Sequence, residues 1–345
     1  MFRKKIPALY LFLAAILGSL LTVVSINYAT KSAAEDKKKP GEQMGEARRK
    51  DGSVNIRRDV RNYKFISPII SADPVEESEM LQGIKSRIAE FIAKEKSNGS
   101  LLSASVYLKE FQGGNWMAIN PAETYNPGSL LKVGVLITYL RMAENDKNLL
   151  DKEVVYQGER GFVYPVEHYT DDTVLEGHKY KVNELLRYMI RNSDNRATVF
   201  LESHMDTTIF KQEFDDMGIT KPRFNDPYYA LNVVEYSMML RALYNAGYLR
   251  KRASENALSM LAESNFSKGL LRELPRGLTV SHKFGESGDA TLHELHESGI
   301  VYISGKPYMI TIMTKGDDWE KLSADIGHIS RMAYDEMISG VYSQR

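Results

Sequence analysis

A serine and a lysine three residues apart form the most reactive pairing in the sequence. Ser129 and Lys132 follow a Tyr-Asn-Pro-Gly segment, residues 125–128, that is typical of a tight turn. The apolar run at residues 133–142 predicts a buried helix. Residues three apart share a helical face, so the amine of Lys132 can take the proton of the Ser129 hydroxyl. The pair predicts a serine nucleophile with a lysine base, although a helix cap followed by a solvent-reaching lysine also fits it.

A Ser-Asp-Asn triplet at residues 193–195 is the second candidate motif. It lies between helical patterns at residues 182–191 and 197–205, so it falls at a helix-to-helix junction. Helix capping alone also explains these residue types. A third motif, Lys-Phe-Gly at residues 283–285, ends the strand-like run of residues 278–284. The three motifs occur in a fixed order, which favours a catalytic interpretation. The alternative is that the first two motifs are unrelated helix caps and the third is only the end of a strand.

The ordered set Ser-x-x-Lys, Ser-Asp-Asn and Lys-x-Gly resembles the penicillin-recognising serine hydrolases, most closely the class A β-lactamase-like branch. The resemblance runs from about Glu76 to the C-terminus and is complete for the first two motifs. It implies an α+β fold of the β-lactamase/transpeptidase type. It also implies acyl transfer on β-lactam or cell-wall-peptide-like carbonyls. We expect a monomer without a cofactor or metal.

The resemblance assigns roles to the matching residues. Ser129 would be the nucleophile, Lys132 the general base, and Ser193 the group that returns a proton to the leaving nitrogen. The implied substrate-binding residues are Asn195, Lys283, Gly285, Glu286 and Ser287. The backbone N–H groups of Ser129 and Glu286 would form the oxyanion hole, in which each donor is worth about 3 kcal/mol.

The third motif departs from the family pattern in a way that concerns the substrate. Phe284 stands where the family has threonine, so the hydroxyl that would bind a substrate carboxylate is missing. Ser287 is a candidate replacement for that hydroxyl. We interpret Phe284 itself as a core residue on the strand face opposite Lys283.

A second departure concerns turnover. The family's deacylating glutamate lies in a Glu-x-x-Leu-Asn segment, and no such segment occurs between Asn195 and Lys283. Asp226 is the nearest acid, and its place before a proline also fits a turn. We therefore predict a long-lived acyl-enzyme and poor β-lactamase activity. A β-lactamase, a D-alanyl-D-alanine peptidase, an esterase and a non-catalytic binding module for cell-wall fragments remain as alternatives.

Other reaction chemistries have weaker support. The sequence has no Gly-x-Ser-x-Gly elbow, no glycine-rich phosphate loop and no His-Glu-x-x-His zinc helix. A His-Glu-Leu-His-Glu cluster at residues 293–297 fits no zinc signature, and we interpret it as a solvated turn between strands. Forty-five basic and forty-five acidic residues cancel, which argues against nucleic-acid binding. Because cysteine is absent, neither disulfides nor thiolate chemistry is available.

The N-terminus predicts a membrane anchor. Arg3, Lys4 and Lys5 precede an apolar stretch at residues 6–28, long enough for a span of about 20 residues. Basic residues before a span place its start inside the cell and the rest outside. We expect a single-pass protein of the cell membrane with an extracytoplasmic catalytic domain, or a secreted protein if the segment is a cleaved signal peptide.

Three regions follow from this pattern. Residues 1–30 form the anchor or signal peptide, and residues 31–73 form a charged linker. Within the linker, residues 31–61 carry ten basic and six acidic side chains with almost no apolar periodicity. Residues 74–345 form the hydrolase domain, which is long enough for one large core.

The domain has strand patterns at both ends and helices in the middle. Helical patterns at residues 79–94 and 318–339 open and close it. The predicted strands are residues 103–111, 116–119, 278–284, 298–304 and 308–314. Strands from both ends around a helical block predict an antiparallel sheet, with the terminal helices on one face and a mostly helical subdomain on the other. The catalytic cleft would lie between the sheet and that subdomain.

Overall fold

The chain divides into two compact units, residues 1–45 and 46–345. The computed structural model describes residues 47–48, 54–57, 63–71, 76–99, 101–158, 173–222, 229–304 and 306–342. The predicted membrane span at residues 6–28 lies outside these ranges. Within them, no helix combines the length and the apolar character that a membrane crossing needs. The membrane anchor therefore stays a prediction from the sequence.

The described residues form ten strands and eight α-helices. The strands are β1 (Ala47–Arg48), β2 (Val54–Arg57), β3 (Ile69–Ser71), β4 (Ser103–Glu110), β5 (Trp116–Ile119), β6 (Glu153–Val155), β7 (Lys179–Lys181), β8 (Thr279–Gly288), β9 (His293–Tyr302) and β10 (Tyr308–Gly316). The helices are α1 (Gln82–Ser97), α2 (Lys132–Ala143), α3 (Val182–Arg191), α4 (Asn195–His204), α5 (Thr207–Asp216), α6 (Val233–Tyr244), α7 (Lys251–Leu261) and α8 (Trp319–Tyr342).

A five-stranded antiparallel sheet in the order β5-β4-β10-β9-β8 is the centre of the domain. The terminal helices α1 and α8 cover one face of it. Ile84 and Ile88 of α1 are four apart, as are Leu322 and Ile326 of α8, and all four are fully buried in the core that these helices share with the sheet. The layered arrangement confirms the predicted α+β architecture.

The helical layer contains α2 at its centre. Every residue of α2 from Lys132 to Leu140 is buried, which accounts for the apolar character of this helix on all sides. Helix α6 packs on the sheet, contacting β4, β9 and β10. The hydroxyl of its fully buried Tyr236 donates to the carbonyl of Leu130 at 3.1 Å. This hydrogen bond attaches the turn that precedes α2 to helix α6.

The His-Glu-Leu-His-Glu cluster corrects one sequence prediction. Residues 293–297 begin strand β9 and do not form a solvated turn. Glu294 is 7 % exposed, and His296 and Glu297 are fully buried. Buried polar groups persist where they have partners: the Glu297 carboxylate contacts Nδ1 of His282 at 2.6 Å. The sequence pattern could not show these partners, because they come from other strands and turns.

The segment before the hydrolase domain is attached to α7. Strands β1 to β3, which form a small antiparallel sheet, lie within the region predicted to be a linker. After β2, the backbone N–H groups of Lys64, Phe65 and Ile66 all donate to the carboxylate of Glu255, at 2.8 to 3.2 Å. Three successive amides around one carboxylate form an anion-binding concavity, so this part of the segment is bound to the domain.

A buried carboxyl lies beside the central helix. Glu213 of α5 is fully buried, its Oε2 accepts the Thr138 hydroxyl at 2.8 Å, and its Oε1 has no partner among the described residues. A Cβ at Gly134 of α2 would lie 3.0 Å from that Oε1, so glycine permits the close approach. Burial raises the pKa of Glu213 well above its usual value, because desolvation disfavours the charged form.

We expect Glu213→Gln to stabilise the protein increasingly as the pH rises. A carboxyl with a raised folded-state pKa contributes stability below its unfolded pKa and loses it as the pH rises through the folded pKa. Glutamine keeps a hydrogen bond to Thr138 without titrating. Between the unfolded-state and the folded-state pKa of Glu213, the unfolding free energy of the wild type should fall relative to the variant by about 1.4 kcal/mol per pH unit. Denaturant unfolding across the mildly acidic to mildly alkaline range measures this, and a pH-independent difference would contradict it.

Candidate active site

Ser129 lies in a 3₁₀ turn, Gly128–Leu131, that runs directly into α2 at Lys132. Gly128 has a φ of +51°, in the left-handed region that favours glycine. A Cβ at this position would lie 2.1 Å from the carbonyl oxygen of Glu286 on β8. The backbone of the turn therefore touches the backbone of the edge strand. Ser129 is 7 % exposed and Lys132 is 4 % exposed, so both side chains are buried.

The ammonium of Lys132 is bound by the Ser-Asp-Asn triplet. Nζ donates to the backbone oxygen of Ser193 at 2.6 Å, to its Oγ at 2.9 Å, and to Oδ1 of Asn195 at 2.7 Å. Ser193 has a φ of +54°, a conformation uncommon for a residue with a Cβ and one that clusters at functional sites. In this conformation both its carbonyl and its hydroxyl reach Lys132.

Asp194, the middle residue of the triplet, organises the surrounding backbone. It is 1 % exposed and is the N-cap of α4, where its Oδ1 accepts the N–H of Arg196 at 2.8 Å. Its Oδ2 accepts the N–H of Val174 at 2.7 Å. One carboxylate thus joins the chain before β7 to the start of α4. The neighbouring serine and asparagine are held in place on either side of it.

Lys283, fully buried on the edge strand β8, brings a second ammonium to Ser193. Its Nζ donates to Oγ of Ser193 at 2.8 Å and to the backbone oxygen of Phe284 at 2.9 Å. The Ser193 hydroxyl accepts from two lysines, which occupies both lone pairs and leaves its own proton to be donated. The two ammonium groups beside this oxygen repel each other, which favours the neutral form of one of the two amines.

Phe284 is a core residue, as its strand position predicts. It is 2 % exposed and stacks on Phe266 with ring centroids 4.1 Å apart. The ammonium of Lys283 lies 4.0 Å from the centroid of the Phe284 ring, a distance typical of a cation–π contact. The ring thus takes the place of a threonine hydroxyl and contributes no hydrogen bond to a substrate.

The two predicted oxyanion donors lie on segments that touch. A Cβ at Gly285 would lie 2.4 Å from the carbonyl of Pro127 and 2.8 Å from the N–H nitrogen of Leu130. The peptide that follows Gly285 is therefore next to the turn that holds Ser129. Ser287 lies two residues further along β8, on the face of Lys283 and Gly285, and is half-buried.

A segment that the sequence analysis did not identify lies beside the turn that contains Ser129. Leu231 exchanges both backbone hydrogen bonds with Tyr125, each at 2.9 Å. The next residue, Asn232, is the N-cap of α6. Leu-Asn are also the last two residues of Glu-x-x-Leu-Asn, which puts Tyr228 at the position of the glutamate. Tyr228 and Asp226 lie outside the described residues. The sequence signal for this segment is the Leu-Asn pair alone, because tyrosine stands at the position of the glutamate.

No group of three or more His, Cys, Asp or Glu side chains suitable for a metal ion occurs in the described part of the chain. The chemistry that the site offers is that of hydroxyls and amines. A serine near a lysine, a second serine between two lysines, and paired backbone donors suit nucleophilic attack on a carbonyl with proton transfer to the leaving group.

Comparison with known proteins finds solved structures of similar fold. A mutant of PBP-A, described as an acyl-enzyme complex with penicillin G, has a TM-score of 0.63 at 17 % identity, covering 77 % of this chain and 100 % of that one. A β-lactamase from Sphaerobacter thermophilus DSM 20745 has a TM-score of 0.62 at 17 % identity, covering 73 % and 96 %. One from Chitinophaga pinensis DSM 2588 has a TM-score of 0.62 at 21 % identity, covering 73 % and 98 %.

These similarities show the fold, and no curated protein matches the sequence significantly. The model of the β-lactamase enzyme family matches residues 83–337. This range includes the turn that contains Ser129, the Ser-Asp-Asn triplet and strands β8 to β10. The chain therefore belongs to the β-lactamase enzyme family.

Proposed function

We propose that this chain is a membrane-tethered, extracytoplasmic serine hydrolase that transfers acyl groups to Ser129 from β-lactam or cell-wall-peptide-like carbonyls. One observation carries the proposal. The Ser193 hydroxyl lies 2.9 Å from the Lys132 amine and 2.8 Å from the Lys283 amine, both buried. A module that only binds cell-wall fragments has no need of such a proton-transfer chain.

Acylation begins with a neutral Lys132. Its amine takes the proton of the Ser129 hydroxyl, and Oγ of Ser129 attacks the substrate carbonyl carbon. The carbonyl oxygen becomes an oxyanion that accepts hydrogen bonds from the backbone N–H groups of Ser129 and Glu286. Such preorganised donors are worth about 3 kcal/mol each in the transition state.

Collapse of the tetrahedral intermediate breaks the carbonyl carbon–nitrogen bond. The Ser193 hydroxyl gives its proton to the leaving nitrogen and regains one from the Lys132 ammonium, which restores the neutral amine. The Lys283 ammonium stays charged and stabilises the negative charge that develops on Ser193 oxygen. With a peptide substrate the products of this half-reaction are an ester on Ser129 and a free amine, whereas with a β-lactam the ring opens and the amine stays attached to the ester.

The rate at which water hydrolyses the Ser129 ester distinguishes a β-lactamase from the other candidate activities. Water must be activated for hydrolysis, and the sequence has tyrosine where the family pattern has its glutamate. A slow second half-reaction favours a D-alanyl-D-alanine peptidase, or an acylated receptor for β-lactams, over a β-lactamase. The absence of a threonine hydroxyl at Phe284 favours substrates that do not depend on that hydroxyl for carboxylate binding.

The proposed location is supported by sequence alone. The basic residues ahead of the apolar stretch at residues 6–28 favour an uncleaved anchor with the catalytic domain outside the cytoplasm. Cell-wall peptides are reached from that side of the membrane. The full-length protein is therefore the form in which the activity is best tested.

A fluorescent penicillin tests the proposal. We expect the full-length protein in mild detergent to gain the mass of one penicillin per chain, and Ser129→Ala, which keeps the fold, to gain none. Intact mass spectrometry over time gives both the stoichiometry and the lifetime of the adduct. An adduct on Ser129→Ala would show that the nucleophile is another residue. Wild-type protein that neither forms an adduct nor hydrolyses penicillin would favour an esterase or a binding module.

A further inference from the structure

Two side chains of β9 bind the backbone of Asn126, three residues before Ser129. Oε2 of Glu294 accepts the Asn126 N–H at 3.0 Å, and Nε2 of His296 lies 3.0 Å from the Asn126 carbonyl oxygen. Glu294 and His296 are two apart on the strand, so they share one face of the sheet. It is also the face of Gly285, which pairs with His296 in the register of β8 and β9.

The neighbours of His296 determine which of its nitrogens carries the hydrogen. Nδ1 lies 3.2 Å from the backbone N–H of Thr314, which can only donate, so Nδ1 accepts and Nε2 carries the hydrogen. The contact with Asn126 is therefore an N–H···O hydrogen bond. Burial lowers the pKa of His296 to about 3, so the imidazole stays neutral at physiological pH. The fully buried ring holds one tautomer and one orientation.

Lys315 of β10 lies beside Glu294, the second side chain that binds Asn126. Its Nζ lies 3.6 Å from Oε1 of Glu294, and it also donates to the Thr124 carbonyl at 2.8 Å. Burial raises the pKa of Glu294, and the positive charge of Lys315 acts in the opposite direction. The ammonium also lies 4.6 Å from the centroid of the Tyr125 ring. The chain entering the nucleophile turn is thus held at successive residues.

The turn is too short to absorb a displacement of Asn126. Oδ1 of Asn126 accepts the N–H of Gly128 at 3.1 Å, and Gly128 touches the backbone of β8. Lys132, in contrast, is held by the separate Ser-Asp-Asn triplet. A shift of Asn126 therefore moves Ser129 relative to its base and to the oxyanion donors, whose alignment sets the rate.

We propose that Glu294 and His296 are positioning residues that clamp both peptide groups of Asn126 and so place Ser129 for attack. The proposal rests on the proposed acyl-transfer function for its kinetic consequence. Its structural consequence, the rigidity of the turn, does not depend on that function. The cluster at residues 293–297 then has two tasks: Glu294 and His296 support the site, while Glu297 binds His282 on the opposite face of the sheet.

Acylation by fluorescent penicillin tests the kinetic consequence. We expect His296→Ala in the full-length protein to lower the acylation rate constant by about 30-fold or more, with little change in the non-covalent dissociation constant. His296→Gln, whose amide nitrogen can occupy the position of Nε2, should recover most of the rate. Glu297→Gln is the matched control: it alters a buried pair on the same strand, and should lower thermal stability while leaving the rate constant near the wild-type value.

Peptide-level hydrogen exchange tests the structural consequence. We expect faster exchange in residues 125–131 for His296→Ala, and for Glu294→Ala if the first variant does not fold, with no such change for Glu297→Gln. Wild-type rates in the folded His296→Ala and Glu294→Ala proteins, or a loss that His296→Gln does not recover, would overturn the proposal. A wild-type protein without a Ser129-dependent adduct would refute the acyl-transfer function, and the exchange data would still decide whether the clamp exists.

Discussion

Replacing Lys132 by methionine is expected to slow acylation of Ser129 by about 10²- to 10⁴-fold, the usual contribution of a positioned general base. Methionine fills a similar volume and needs no charge partner, so the buried helix start keeps its packing. The change removes the amine that donates to Ser193 and Asn195 at 2.6 to 2.9 Å. The rate constant for adduct formation with a fluorescent penicillin measures the effect, and thermal unfolding monitors the fold.

Lys132→Arg is the control that separates base catalysis from charge. Arginine keeps a positive charge and several N–H donors, yet it does not lose its proton in proteins. If Lys132 acts as a base, the arginine variant should be about as slow as the methionine variant. Recovery of the rate in Lys132→Arg would instead mean that Lys132 acts only by its charge, and another group would have to take the Ser129 proton.

Tyr228→Glu is expected to shorten the lifetime of the acyl-enzyme by about 10²-fold or more, because it supplies a general base for water. The choice rests on sequence position: Tyr228 is three residues before Leu231, as the glutamate is in Glu-x-x-Leu-Asn. Leu231 is bound to Tyr125, four residues before Ser129. Intact mass spectrometry after removal of excess penicillin gives the decay of the adduct directly.

Tyr228→Gln is the matched variant for this gain of function. Glutamine has nearly the shape of glutamate but cannot accept the proton of water, so its adduct should be as stable as that of the wild type. Equal lifetimes for the glutamate and glutamine variants would show that the missing acid is not what limits deacylation. Rapid decay in the unaltered protein would show that another group already activates water, and Asp226→Asn would then be the next variant.

The sequence by itself was enough for the family, for the sheet strands and terminal helices in their order, and for a set of candidate acyl-transfer residues. These features depend on short spacings: three residues place Ser129 and Lys132 on one turn, and alternation separates Lys283 from Phe284. Hydrophobic periodicity located the sheet strands and the terminal helices. Helices α5 and α7 were missed, because their apolar residues are few and interleaved with charged ones.

Only the tertiary structure decided which polar groups are buried and what they bind. Ser193 and Lys283 meet at 2.8 Å across 90 residues of sequence, and Asn126 meets Glu294 across 168. No local pattern encodes such pairs, since a lysine or a glutamate on a strand is read as exposed until its partner is known. The misread cluster at residues 293–297 has this same cause, whereas the Leu231-Asn232 pair was overlooked because only part of its motif is present. Local spacing selects the face on which a side chain lies, and the packing of distant segments decides whether that face becomes surface, core or catalytic site.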